Sequence, residues 1–218
     1  MSDKPQDYNY SLENHIQNLI QLVKFLDLKD ITLVVHDWGG AIGMGLATRH
    51  PELIKRVVVL NTAAFLSQNI PKRISICRAG KFGEFIVRAF NAFAWPATWM
   101  ASRRYLPGAV KKAYLAPYNN WHNRIAVARF VQDIPLEKTH QSYQTLEEIE
   151  RKLALVKAPM LILWGGQDFC FDQEFFERWL ELFPAAEAHW WAKAGHYVLE
   201  DEPRQVVEKM VKFIGDHP

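Results

Sequence analysis

A chain of 218 residues is long enough for one large domain, or for one domain carrying an inserted cap. Hydrophobic content of 49% against 23% charged residues excludes a disordered chain, and a net charge of +2 gives no argument for nucleic acid or an acidic surface as partner. No stretch approaches the length of a membrane span, and the two cysteines, Cys77 and Cys170, lack the spacing of a metal site or a disulfide framework.

Residues 1–10 are polar and hold Pro5 and two tyrosines, which predicts a loop. They lack the apolar core of a signal peptide, so a cytoplasmic protein with reduced thiols is expected. Ser11 is a fair N-cap for a helix whose Leu12, Ile16, Leu19, Ile20, Val23 and Leu26 fall at helical spacing. The run Ile31 to Val35 predicts a strand, followed by a helix from Gly40 to about His50. Val57 to Leu60 predicts the next strand.

From about Leu66 to Glu150 strand-like runs vanish. Basic and aromatic residues alternate, and Pro96, Pro107, Pro117 and Pro135 break the region into short helices. Phe82, Phe85, Ile86, Ala89, Phe90 and Phe93 form one stripe, which is expected to line a pocket because it lies between two sheet strands. The many tryptophans of this region and the second half suit an apolar cavity. A returning helix at 146–155, a strand at 160–164, a helix at 172–183, a strand at 188–191 and a helix at 203–214 complete the chain. The division is 1–65 and 151–218 for the two parts of an α/β core, with 66–150 as a helical cap.

Three polar residues stand just past predicted strands, where open α/β sheets place their ligands. Asp37 lies between the strand 31–35 and Trp38-Gly39-Gly40, a strand–turn–helix elbow that lifts a side chain above the sheet. Gly39 and Gly43 are the small neighbours expected to let this turn pack closely. Asp37 is either an N-cap or a carboxylate nucleophile that forms an ester with the substrate carbon; the setting favours the nucleophile. Asp168, in Gly165-Gly166-Gln167-Asp168, is the candidate acid, with Asp172 as fallback. Asp172 looks more like the N-cap of the next helix. His196, in Gly195-His196-Tyr197, is the candidate base. Asp168 would set its tautomer. The backbone N–H of Trp38 falls in the oxyanion position after the nucleophile. His36 and Trp164 read as residues that support the site from behind or simply pack. No metal or organic cofactor is called for.

These motifs resemble the haloalkane dehalogenase and epoxide hydrolase branch of the α/β-hydrolase superfamily. The matching stretches are His36-Asp37-Trp38-Gly39-Gly40, Trp164-Gly165-Gly166-Gln167-Asp168, and Gly195 through Pro203. Within the branch, Leu60-Asn61-Thr62-Ala63-Ala64-Phe65 and Phe90-Asn91-Ala92-Phe93-Ala94-Trp95-Pro96 look like the β-lactone decarboxylases of olefin biosynthesis. The resemblance implies an α/β-hydrolase fold with a mostly parallel sheet and a helical cap. It also implies a small apolar halide or β-lactone substrate and a Trp38 indole able to hold a leaving halide. Epoxide hydrolysis is the alternative; it asks for two inward cap tyrosines, with Tyr105, Tyr114, Tyr118 and Tyr143 as candidates.

Met1-Ser2-Asp3-Lys4-Pro5 looks like the inside of a family loop that lies after the first strands. The resemblance thus implies a partial sheet and a missing second oxyanion donor; either the true start lies upstream of Met1, or this is a shortened, impaired enzyme or an interaction module. The strand 31–35 would then be an exposed edge open to self-association.

Overall fold

The computed structural model describes residues 2–218. Four strands form one parallel sheet in the order β1-β2-β3-β4: β1 Ile31–Asp37, β2 Ile54–Thr62, β3 Met160–Gly165 and β4 Glu187–Trp191. The two central strands are apolar on both faces, as a parallel sheet covered on each side requires. Among the described residues β1 pairs only with β2, and Val34 on it is 46% exposed.

Eleven helices accompany the sheet among the described residues: α1 Leu12–Phe25, α2 Trp38–Arg49, α3 Lys72–Arg78, α4 Gly80–Phe90, α5 Ala94–Met100 and α6 Gly108–Leu115 come first. Then follow α7 Ile125–Gln132, α8 Tyr143–Lys152, α9 Gln173–Leu182, α10 Val198–Asp201 and α11 Pro203–Asp216. Ser11 and Asp172 cap α1 and α9, their side chains accepting from the N–H groups of Asn14 and Glu174.

Alternation along the strands sorts the core into two layers. Val57 and Val59 of β2 and Ile162 and Trp164 of β3 point to one face, packing with α1, α2, α8 and α9. Val58, Leu60, Leu161 and Leu163 point to the other face, against Val198, Val206 and Phe213 of α10 and α11. A separate cluster, which includes Ile74, Cys77, Val87 and Val131, holds α3, α4 and α7 together over the strand ends. No described helix is long and apolar enough to cross a membrane.

The stripe on α4 departs from expectation. Phe82, Phe85 and Phe90 are 63%, 52% and 71% exposed, and of the stripe only Phe93 reaches the cavity. The buried side of α4 is supplied by Gly83 and Val87, so the helix is rotated away from its largest side chains.

Candidate active site

At the C-terminal end of β1 the chain turns into α2 within one residue. Asp37 takes φ 51° and ψ −128°, a conformation few non-glycine residues tolerate. The strand register with β2 slips at His36–Asp37, and the Thr62 hydroxyl donates to the Asp37 carbonyl. Asp37 occupies the N-cap position of α2, yet its side chain makes no cap hydrogen bond. Its carboxylate is turned outward and is 47% exposed. The close approach expected at Gly39 lies instead at Gly40, where a Cβ would run into Thr62 and the Ala63 carbonyl; at Gly39 it would make ordinary contact with Val35. Gly43 is close-packed as anticipated, against Val35.

The fold brings Asp37, His196 and Asp168 together. His196 Nδ1 donates to Asp168 Oδ2 at 2.8 Å, which leaves Nε2 facing Asp37 Oδ2 at 3.9 Å. Separations of this size tighten when substrate binds. Burial pulls the His196 pKa down, but the charge and hydrogen bond of Asp168 and the charge of Asp37 outweigh it, so it ends above the usual 6.5.

Asp168 is fully buried and held on every side. Its Oδ1 accepts from the Cys170 N–H at 2.7 Å and its Oδ2 from Asn61 Nδ2 at 3.0 Å. Asn61 in turn grips both backbone groups of Gly165, at 2.8 and 3.0 Å. The sequence signal for Asn61 is weak: a polar residue ending an apolar strand. Asp172, the fallback acid, caps α9 instead.

His36, read as a supporting or packing residue, donates from Nε2 to the His196 carbonyl at 2.9 Å, and its ring lies 4.4 Å from that of His196. Burial lowers its pKa first, with the nearby His196 adding to the effect. It is thus a neutral prop beneath the histidine loop. Trp164 fills the core and donates its indole N–H to the Phe171 carbonyl at 3.1 Å. Phe171 stacks on the His196 ring at 5.7 Å.

Asp201 is a second residue that sequence reading left without a role. Its buried carboxylate accepts from the N–H of Gly195 at 2.6 Å, from those of Arg103 and Arg104, and from the Ser102 hydroxyl. Burial opposes its charge, but these donors win and hold its pKa below 3.8. The carboxylate therefore latches the histidine loop to the segment after α5.

Asp37 and His196 open into a cavity of about 1180 Å³ walled mostly by apolar side chains, including Ile74, Phe93, Val127, Phe130 and Val131. Trp38 is the first residue of α2 and stands in this wall, edge-on to Phe130 at 5.4 Å. Of the four tyrosines considered, Tyr118 alone lines the cavity. Tyr105 is 77% exposed, and the Tyr114 hydroxyl is engaged by Glu200. Tyr197 also faces the cavity, stacked on Tyr114 at 4.8 Å; burial and the Asp37 charge push its pKa up to about 12.

Residues 2–209 match the family described as "Alpha/beta hydrolase family". The chain belongs to that family. It is 46% identical to the "Cis-3-alkyl-4-alkyloxetan-2-one decarboxylase" of Shewanella oneidensis, over 99% of this chain and 70% of that protein. The protein of the same name from Xanthomonas campestris pv. campestris is 40% identical, over 100% of this chain and 77% of that protein. Among solved structures, the haloalkane dehalogenase DbeA from Bradyrhizobium elkani USDA94 superposes with a TM-score of 0.90. At 22% identity, and covering 99% of this chain and 77% of that one, it supports the fold alone. The α/β-hydrolase fold expected from the three motifs is therefore the fold of this chain.

Proposed function

We propose that this α/β hydrolase is an aspartate-nucleophile enzyme acting on an apolar β-lactone. The observation that carries this reading is the outward Asp37 carboxylate on a strained elbow, facing the free nitrogen of a His196 fixed by buried Asp168. The two relatives named as oxetanone decarboxylases favour the lactone among the strained or halogenated substrates.

Asp37 attacks the saturated ring carbon bonded to the ring oxygen, not the carbonyl carbon. A carbon–oxygen ester bond forms, the ring bond to that oxygen breaks, and a free carboxylate is left on the neighbouring carbon. Loss of carbon dioxide then supplies the electron pair of the new alkene as the bond to Asp37 breaks. The enzyme carboxylate is regenerated without water. With a halide or an epoxide the ester has no such exit, and His196 acts as base for water. Asp168 keeps the His196 tautomer that leaves Nε2 toward the ester. The Trp38 N–H at the start of α2 is the proposed oxyanion donor. Residues 66–150 form the cap over the core in this reading, with α8 returning the chain to the sheet.

A second reading, epoxide opening, draws on Tyr118 and Tyr197, which share the cavity wall with Asp37. Product analysis separates the two. A cis-3,4-dialkyl oxetanone is expected to give alkene and carbon dioxide, and Asp37→Asn is expected to abolish both. Equal turnover by Asp37→Asn would refute the assignment, and a diol from an epoxide with no alkene from the lactone would favour the second reading.

A further inference from the structure

The exposed aromatic residues of this chain are gathered in one region. Among the described residues eight aromatic side chains are exposed, and all but Phe25 fall between Phe82 and Trp121. On α5, Trp95 and Trp99 are 54% and 55% exposed with ring centroids 6.1 Å apart. Ala97 and Met100 of the same helix line the cavity. One helix thickness therefore separates the outer tryptophans from the space beside Asp37.

Charge is gathered there too. Residues 66–150 hold twelve Lys and Arg and six acids, and the one acid before Asp133, Glu84, is already paired with Arg88 and Arg129. The rest of the chain holds fourteen bases and eighteen acids, so the net charge of +2 sums a positive cap and a negative core. Lys111 Nζ sits 3.2 Å from the Trp99 ring centre and 4.3 Å from that of Tyr105. Lys81, Arg103 and Lys112 are exposed nearby in the chain, while Arg104 is paired with Glu202 and the Tyr114 hydroxyl of α6 donates to Glu200.

Exposed amphipathic aromatic rings beside unpaired lysines are the composition of surfaces that sit at the headgroup level of a bilayer. A protein-binding core would share the aromatic rings and arginines but be depleted of lysine, whereas Lys81, Lys111 and Lys112 stand here. We propose that the α4–α6 side of the cap docks on an anionic lipid surface, with Trp95 and Trp99 at the interface and Lys81, Arg103 and Lys112 facing the phosphates. An apolar substrate dissolved in that bilayer would then have a short path to the cavity. This last step rests on the lactone reading; the docking does not.

The test is flotation of the full chain, without substrate, with vesicles of phosphatidylcholine alone or mixed with phosphatidylglycerol. Binding is expected to the mixed vesicles, to weaken with salt, and to be small on the neutral ones. Trp95→Ala with Trp99→Ala should lower partitioning about tenfold or more. Lys81→Gln and Lys112→Gln should each lower it about fivefold. Phe25→Ala, an exposed aromatic on α1, should change nothing, and circular dichroism of each variant verifies folding. No flotation with anionic vesicles overturns the proposal. So does salt-sensitive binding indifferent to Trp95 and Trp99, which marks a bare polyanion site. Self-association lost in the tryptophan variant, with no vesicle binding, would assign the patch to a second copy. Alkene formation is measured separately, so failure of docking and failure of the proposed chemistry are told apart.

Discussion

Asp37 shows how a backbone conformation selects a role. An N-cap aspartate at an extended φ would bend its carboxylate back onto α2; at φ 51° the carboxylate leaves the helix and meets His196. The charge state of His196 follows from the two carboxylates beside it. Because its folded pKa is raised, the pairing stabilises the protein fully below the unfolded value near 6.5, and this contribution is lost as pH rises through the folded value. An NMR titration of the imidazole is expected to place its midpoint above 6.5, and Asp168→Asn to move it down. An unchanged midpoint in that variant would show that Asp168 does not set it. Asn61 belongs to the same scale. It is a neutral amide in a fully buried position, and nothing in its neighbours along the chain announces that it holds Asp168 and Gly165 at once.

Among the elements, the β1–α2 elbow was legible because its constraints are local. An apolar run, an acid and small residues in sequence leave few ways to turn. The ranking of the glycines was not legible, since it depends on β2. Gly40 abuts Thr62, whose hydroxyl holds the Asp37 carbonyl. Gly40→Ala is therefore expected to cost about 1–3 kcal/mol in urea unfolding and to lower turnover, while Gly39→Ala costs well under 1 kcal/mol. Equal costs would remove Thr62 as the reason. The α4 stripe was legible as amphipathic but not in its orientation. Periodicity reports that one face differs from the other; which one meets the core depended here on Gly83 and Val87 fitting against α3 and α7.

Across the whole molecule, Asp201 joins parts that are distant in sequence. Its carboxylate takes N–H groups from Gly195 on one side and from Arg103 and Arg104 on the other, so the segment after α5 and the histidine loop are positioned as one unit. Asp201→Ala leaves the buried Gly195 N–H and Ser102 hydroxyl, and the partly buried Arg103 and Arg104 N–H groups, unpaired, at an expected cost of about 3 kcal/mol. With its folded pKa held below 3.8, the contribution is present above that value and lost as pH falls through the folded one. Denaturation of wild type and variant at neutral and acid pH should show the difference shrinking on acidification. A constant difference would assign the loss to packing instead.

The strands, the elbow and the order of Asp37, Asp168 and His196 along the chain were determined by the sequence alone. Each rests on residues close together, where apolar runs, turn residues and strand ends leave little freedom. The partners Asn61, His36 and Asp201, the outward turn of Phe82, Phe85 and Phe90, and the depth of the cavity were decided only by the tertiary structure. Each depends on which surfaces meet across β2, β3 and the cap, and contacts between residues a hundred positions apart leave no local pattern to read.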